Sequence, residues 1–294
     1  MNLERQREID ARLQEIGVMP DPYVGKSKTV YITTGDPEIV VMVFTDGQTG
    51  KFENGHWVRD PGGNVNIAEL DGIGNKNLRL THKLYELIKR ELNIPTQVVD
   101  ADLDNNIWIV KRGYPLTKVD QATDKAIGIE WLTRIINEGS GVGRLGEEGV
   151  NMIQPDGLPF AEQTLKDDKA DDPLVSAEEL QNKYGMDGDV YEQCYTYSRL
   201  ITKYLAELVE KSTIGRELEV IFYDLKTEFA KNVDGELMLS DEISTGSFRL
   251  STKVSRERYF TTKAVDPKVK KTVSSEEKFA IFMAAIEERI QQLG

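Results

Sequence analysis

Apolar residues recur at helical spacing in several stretches of the chain and run together or alternate in others. Residues 3–16 are charged on most sides with a narrow apolar stripe, which predicts an amphipathic helix accessory to the main body. Tyr23–Thr33 and the β-branched run Glu38–Thr45 (EIVVMVFT) predict strands, the second of them buried. Residues 46–65, rich in Gly, Asn and Asp, read as loop. A helix is expected from about Asn75 to Leu92, with Leu80, Leu84, Leu87 and Ile88 along one side. After Pro95, the segments Gln97–Val99 and Ile107–Val110 can pair as strands, and Gly113-Tyr-Pro115 breaks the pattern as a hinge between two lobes. Beyond it, residues 187–212 predict a helix with Leu200, Tyr204, Leu205 and Leu208 on its apolar face and Gly215 near its end. Ser274 and Glu277 form a capping-box pattern ahead of a last helix carrying Phe279, Phe282, Ile286 and Ile290. The acidic stretch 166–173 (KDDKADDP) reads as an exposed loop, and neither internal repeats nor low-complexity segments occur.

The densest charge pattern lies in residues 223–250. Val220, Phe222, Asp224, Lys226 and Glu228 alternate as in a strand, whose side chains two apart share a face. Asp234-Gly235 is a turn signal and Glu236–Asp241 the return strand. If Asp234-Gly235 is a two-residue loop, Glu228 stands directly opposite Asp241, and two facing carboxylates repel. A divalent cation would reverse that penalty, and hard oxygen donors suit magnesium. The alternative is a solvated polar face with no ligand.

Composition narrows the classes. With 294 residues, 39% hydrophobic and 30% charged, the chain can bury a core as one large or two smaller domains. No apolar run approaches the ~20 residues of a membrane helix, and the charged, helix-periodic N-terminus is unlike a secretory signal. A single cysteine, Cys194, permits no intramolecular disulfide and suits a reducing cytoplasm; its neighbours Tyr197, Leu200 and Ile201 mark it as a packed thiol. A formal net charge of −13 argues against broad nucleic-acid binding but leaves room for a basic pocket that holds a small anion. The two histidines, His56 and His82, are too few for a zinc site or a serine–histidine triad. Acid–base work falls to carboxylates, lysines and bound substrate.

Two glycine motifs carry possible phosphate chemistry. Gly25-Lys-Ser-Lys28 is a tight turn with two lysines, able to set amides and ammonium groups around phosphates, or else a solvated hairpin turn; it lacks the Walker spacing. Gly141-Val-Gly-Arg-Leu-Gly146 matches G-x-G-x-x-G, but no β-α-β unit surrounds it, so dinucleotide binding is rejected. Glu138-Gly-Ser-Gly141 reads instead as a loop whose hydroxyl and amides can hold an anion beside Arg134, or as a plain glycine loop.

In order along the chain, several segments resemble the SAICAR synthetase (phosphoribosylaminoimidazole-succinocarboxamide synthase) family. Tyr23-Val-Gly-Lys-Ser-Lys-Thr-Val-Tyr31 is similar to its Y-x-G-K-x-K-x-x-Y opening, Asn93-Ile-Pro-Thr-Gln97 to its G-I-P-T segment, and Ile109-Val-Lys-Arg112 to its L-V-K-K strand. Glu130 to Gly149 keeps the spacing of an E-x-x-x-R-x-x-x-x-G-S-x-x-x-R-L-G block, and Asp171-Asp-Pro-Leu174 resembles a D-P loop. Asp224-Leu-Lys-Thr-Glu-Phe229 and Ser240-Asp-Glu-Ile-Ser244 with Arg249-Leu250 resemble D-x-K-x-E-F and D-E-x-S…R-L. The likeness spans about residues 23–290.

This resemblance implies an α+β, two-lobed fold with an ATP cleft between a β-rich N-terminal lobe and a larger α+β lobe. The expected division is an accessory helix at 1–20, an ATP-binding lobe at 21–114 and a substrate- and metal-bearing lobe at 115–294. The implied reaction joins carboxyaminoimidazole ribonucleotide to L-aspartate with conversion of ATP to ADP and phosphate, and needs magnesium. Lys26, Ser27, Lys28 and Lys111 would hold ATP, Glu228 and Asp241 the metal, and Arg134, Ser140 and Arg249 the nucleotide 5′-phosphate, with Lys226 near the reacting groups. The implied partners are small molecules, with neither nucleic acid nor membrane, in the cytoplasm; a homo-oligomer is allowed. Departures gather on the substrate side. Gly72-Ile-Gly-Asn-Lys-Asn-Leu-Arg79 displaces the family's lysine, and Thr45-Asp-Gly-Gln-Thr-Gly50 replaces a Ser/Ala/Asp-rich loop. Thr245-Gly-Ser-Phe248 replaces Pro-Asp, Ser251 a tryptophan, Arg256-Glu-Arg-Tyr-Phe260 lacks a final arginine, and about nine extra residues fall at Leu116–Ala126. Two alternatives therefore stand beside the synthetase: a paralogous ligase for another nucleotide carboxylate or amine, and a non-catalytic nucleotide-binding protein.

Overall fold

The computed structural model describes residues 3–53, 56–59, 65–119, 125–167, 170, 172–266 and 269–294. The chain divides into two compact units, Met1–Pro115 with Phe229–Gly246, and Leu116–Glu228 with Ser247–Gly294.

The first unit is built on an antiparallel sheet of β1 (Tyr23–Val24), β2 (Lys28–Ile32), β3 (Ile39–Phe44), β7 (Val98–Asp102) and β8 (Ile107–Lys111), in the order β1-β2-β3-β8-β7. Helix α1 (Leu3–Ile16) buries Ile9 and Leu13 against Val41, Val43 and Ile107. The alternate residues Phe44 and Trp108 turn to the other side, where Tyr85 of α2 (Ile73–Leu92) meets Trp108 edge-on at 5.1 Å. A sheet covered on both faces needs apolar residues at every position, which is why EIVVMVFT has no polar alternation. Leu13 is 5% exposed. Leu13→Ala should therefore cost about 3 kcal/mol of stability in chemical denaturation; an unchanged midpoint would remove α1 from the core.

Two expectations change in this unit. Residues 46–65 contain most of a three-stranded sheet, β4 (Gly47–Glu53), β5 (His56–Arg59) and β6 (Val65–Glu69), ordered β5-β4-β6. Backbone pairing holds these strands together where side-chain composition suggests a loop. The first stretch of the unit ends at Pro115, within the segment expected as a hinge. Tyr114 exchanges both backbone hydrogen bonds with Lys231 (2.7 and 3.0 Å), and its hydroxyl donates to the Glu38 carboxylate at 2.8 Å. The turn at Asp234-Gly235 is longer than two residues: the Asn232 amide donates to the Glu236 carbonyl, and Asn232 Oδ1 accepts from the Asp234 and Glu236 amides at 3.1 and 2.9 Å. The register that would set Glu228 opposite Asp241 is thereby lost.

The second unit contains β9 (Ile129–Arg134), β10 (Phe160–Leu165), α3 (Ala177–Asn182), α4 (Gly188–Glu210), α5 (Thr213–Glu217) and β11 (Ile221–Lys231), which from Phe229 onward belongs to the first unit. There it neighbours β12 (Leu237–Ser240), which also reaches back to Thr96 through a parallel bridge at Leu239. The second unit continues with β13 (Phe248–Ser251), α6 (Lys253–Thr262) and α7 (Ser275–Leu293). Strand order is β10-β9-β11, with β13 also on β11. Helix α4 packs on β9 and β10, with Tyr191 5.3 Å from Trp131 and Cys194 fully buried. Phe222, Phe248 and Phe282 of α7 form an aromatic cluster with centroids 4.6–6.1 Å apart. The capping box at Ser274 and Glu277 is present. Asp171 and residues 120–124 of the expected insertion lie outside the described residues. Among the described residues no helix is long and apolar enough to cross a membrane.

Candidate active site

In the first unit, the candidate residues gather where the β1–β2 turn meets the end of β12. The turn closes by a Gly25 N–H to Lys28 carbonyl bond of 2.9 Å, and a Cβ on Gly25 would press on that carbonyl oxygen at 2.9 Å. The Lys28 ammonium pairs with the carboxylates of both Asp241 and Glu242, and the Ser27 hydroxyl donates to Glu242 Oε1 at 3.1 Å. Lys26 sits half-buried in the same turn.

Asp241 is held in an unusual way. Its φ of 62° is left-handed, a region that costs a non-glycine residue energy unless the surroundings enforce it. The Asp241 carbonyl accepts from the Tyr85 hydroxyl at 2.8 Å and from Gln97 Nε2 at 3.0 Å. Helix α2 secures the following residues too: the Thr81 hydroxyl donates to the Ile243 carbonyl, and Asn77 Oδ1 accepts from the Thr245 amide and hydroxyl. The carboxylate is thus aimed at the ammonium by a fixed backbone.

Lys111 is not part of this group. Lys28 pairs in register with Phe44 and Lys111 with Ile39, at opposite ends of β3. Five residues of strand separate their backbones by about 17 Å, and Lys111 forms its own ion pair with Glu236 at 3.8 Å.

In the second unit, Arg134, Ser140 and Arg249 do converge. Arg134, 1% exposed, donates from Nε and Nη2 to Glu162 Oε1 (3.0 and 2.8 Å), from Nη2 to the Ser140 hydroxyl (3.0 Å) and from Nη1 to the Glu138 carbonyl (3.2 Å). Arg249 donates to the same Glu138 carbonyl at 3.0 Å and forms a two-point pair with Asp224. Asp224 faces Arg134 across the β11–β9 ladder and Arg249 across β11–β13, so one carboxylate serves both guanidiniums. Gly139 and Gly141 leave room for them. Gly139 has φ +61°, and a Cβ there would strike the Arg249 guanidinium; one on Gly141 would crowd Arg134 Nε at 3.3 Å. Only glycine fits the first position.

Lys226 Nζ donates to Glu130 at 2.6 Å, and Lys166 pairs with Glu228 at 2.7 Å. The carboxylate directly opposite Glu228 in the ladder is Glu130, in place of the expected Asp241. Burial pulls the Lys226 ammonium toward neutrality, but Glu130 and Glu228 outweigh it and hold the pKa above the usual lysine range. These surroundings favour the charged form of Lys226. Glu162 was not singled out from sequence, and Glu130, Glu138 and Arg144 enter there only as members of motif segments, without a role. Glu130 opens a recognisable motif block, whereas Glu162 lies in a segment without any signature.

Among the described residues no three or more His, Cys, Asp or Glu side chains converge as a metal cage. Magnesium does not need one, since it commonly binds through one or two carboxylates while keeping water and substrate phosphates in its shell. The hard donors Asp241 and Glu242, already turned toward a cation, suit that chemistry.

Comparison with known proteins shows the family. The sequence model of the SAICAR synthetase family matches residues 21–274. The phosphoribosylaminoimidazole-succinocarboxamide synthase of Clostridium tetani is 31% identical over 231 residues, covering 77% of this chain and 90% of the relative. That of Sulfolobus acidocaldarius is 30% identical over 235 residues, covering 77% and 81%. A solved structure described as a SAICAR synthetase superposes with a TM-score of 0.64 at 24% identity, over 90% of this chain and 99% of that one. A type-2 SAICAR synthetase in complex with ADP gives a TM-score of 0.61 at 20% identity, over 92% and 96%. The chain belongs to the SAICAR synthetase family.

Proposed function

We infer that the protein is an ATP-dependent ligase of purine biosynthesis, which joins carboxyaminoimidazole ribonucleotide to L-aspartate and releases SAICAR, ADP and phosphate. The observation that carries this reading is the convergence of Arg134, Ser140 and Arg249 on one glycine loop. A rigid fork of guanidinium donors is suited to a phosphate monoester, and the loop supplies a hydroxyl beside it.

Lys26, Ser27 and Lys28 hold the ATP phosphates, a role consistent with the ADP bound by a family structure of the same fold. Asp241, with Glu242 on the same Lys28 ammonium that a divalent cation could replace, is our candidate for magnesium in the first unit, and Glu228, beside Lys166, is a separate candidate in the second. The metal when bound supplies positive charge to the transferring phosphate. Lys226, whose neighbours favour its charged form, orients the substrate carboxylate. That carboxylate attacks the γ-phosphorus, the bond to ADP breaks, and the aspartate amine then displaces phosphate from the acyl phosphate to leave the amide. Positioning and cations carry such a sequence with little need for a titrating base, in keeping with a set of named site residues that includes no histidine.

The test is ADP release by the purified protein with ATP, magnesium, aspartate and carboxyaminoimidazole ribonucleotide, each omitted in turn. Turnover that needs all four supports the ligase. ATP binding without turnover rejects this substrate pair and points to a paralogue for another nucleotide carboxylate or amine.

A further inference from the structure

Beyond the three residues that would touch the nucleotide phosphate, the second unit contains a cation that touches none of it and ties their support together. Lys271 lies in the segment between α6 and α7, with its side chain 10% exposed. Its ammonium donates to Glu138 Oε2 at 3.2 Å and to Glu148 Oε1 at 2.8 Å. It also stands 5.6–5.9 Å from the ring centroids of Tyr223, Tyr259 and Phe260, within the range of cation–π attraction. Its backbone is fixed as well, because the Ser255 hydroxyl donates to the Lys271 carbonyl at 2.7 Å.

Glu138 and Glu148 flank the loop that carries Gly139, Ser140, Gly141 and Arg144. The loop base is closed by the Asn137 amide on the Val150 carbonyl (2.8 Å) and the Gly149 amide on the Asn137 carbonyl (2.8 Å). Asn137 Nδ2 adds bonds of 3.1 Å to the carbonyls of Gly146 and Glu147. Lys271 supplies the remaining link, from side chain to side chain across the loop's two ends. The position of Glu138 matters most, since its carbonyl oxygen receives one N–H from Arg134 and one from Arg249. Burial pushes the Glu138 carboxyl up, with Lys271 the main group opposing it. Without that ammonium the carboxylate would have to take up a proton or turn toward water. Either change shifts the carbonyl on which both guanidiniums rest.

We propose that Lys271 is a positioning residue for nucleotide recognition, which clamps Glu138 and Glu148 and so fixes the Arg134–Arg249 fork at the spacing that fits a phosphate. This rests on the ligase reading for the identity of the ligand, but not for the clamp itself. The segment follows Arg256–Phe260, the element at which the chain departs from the family pattern.

The experiment compares wild type, Lys271→Met and Lys271→Arg in two readouts. Steady-state kinetics gives KM for carboxyaminoimidazole ribonucleotide and for ATP; native-state hydrogen exchange follows the amides of residues 139–149. In Lys271→Met the nucleotide KM should rise about tenfold or more while the ATP KM and kcat stay within about twofold, because misplacement affects only the groups supported through the loop. Exchange in 139–149 should accelerate by about tenfold, and Lys271→Arg, which keeps the charge, should recover most of both. Unchanged exchange and unchanged nucleotide KM would overturn the proposal. So would an equal rise of both KM values with a general loss of protection, the signature of a merely structural lysine. If the wild type makes no ADP from these substrates, the ligase reading fails, and the exchange measurement still decides whether Lys271 clamps the loop.

Discussion

Asp241→Asn should lower ADP release at saturating ATP and magnesium by about 10²–10³-fold, the scale on which single preorganised electrostatic groups act in active sites. The fold should survive. Asparagine tolerates the left-handed backbone at φ 62° as readily as aspartate does, and the Tyr85 and Gln97 bonds go to the carbonyl oxygen, which the substitution leaves in place. Lys28 keeps Glu242 as a partner, and the Asp241 side chain is 25% exposed. The lost ion pair should therefore cost no more than about 1 kcal/mol. A large kinetic loss with a nearly unchanged melting temperature would separate charge from scaffold. Partial recovery at high magnesium would support the metal role of the carboxylate. A wild-type rate in the variant would end that assignment and return Asp241 to the status of an ordinary partner for Lys28.

Asp241 also illustrates what the sequence could and could not convey. Its membership in D-E-x-S was legible, as were strand β3 from its unbroken apolar run, helices α2, α4 and α7 from their periodicity, and the Glu138–Gly141 loop beside Arg134 from its glycines. These signals are local, or repeat with the period of the element that carries them. The partner of Glu228 was not legible. Pairing in a ladder depends on the length of the turn, and one extra residue at Asn232–Glu236 changes every facing residue. Glu228 faces Glu130 from a strand about a hundred residues earlier. The sheet formed by β4, β5 and β6 escaped because Gly, Asn and Asp mark loops on average, whereas backbone hydrogen bonding needs no particular side chain. Helix α6 escaped because its apolar residues, Val254, Tyr259 and Phe260, do not share a buried face; Val254 and Phe260 are both exposed. Lys111 was placed by motif alone, and the register with Ile39 puts it at the far end of the strand.

Glu162 was invisible for a related reason, and its removal should have a large effect on stability. It is 8% exposed and accepts four hydrogen bonds, two from Arg134 at 2.8 and 3.0 Å and two from Arg144 at 2.6 and 2.8 Å. Glu162→Ala leaves the buried Arg134 with neutral acceptors and with Asp224 at 3.5 Å, a carboxylate already engaged by Arg249. Breaking a buried pair from one side typically costs 3–5 kcal/mol, so about 3 kcal/mol is expected here, because Arg144 is 37% exposed and regains water. Burial alone would raise the Glu162 pKa, but Arg144 and Arg134 together hold it below the ordinary glutamate range. The sign follows. A carboxyl whose pKa is lowered on folding contributes stability that is complete above the unfolded value of about 4.3 and disappears as pH falls through the lower folded value. Wild type should therefore lose this contribution in acid, below about pH 4, while Glu162→Ala never has it. Plotted against pH, the two unfolding curves should stand about 3 kcal/mol apart near neutrality and converge as the pH falls through the lower folded value. Curves that stay parallel would show that the loss comes from a cavity and not from charge. Glu162→Gln, which keeps the shape and one acceptor, separates the same two causes near neutral pH, where it should recover packing but not the ion pair.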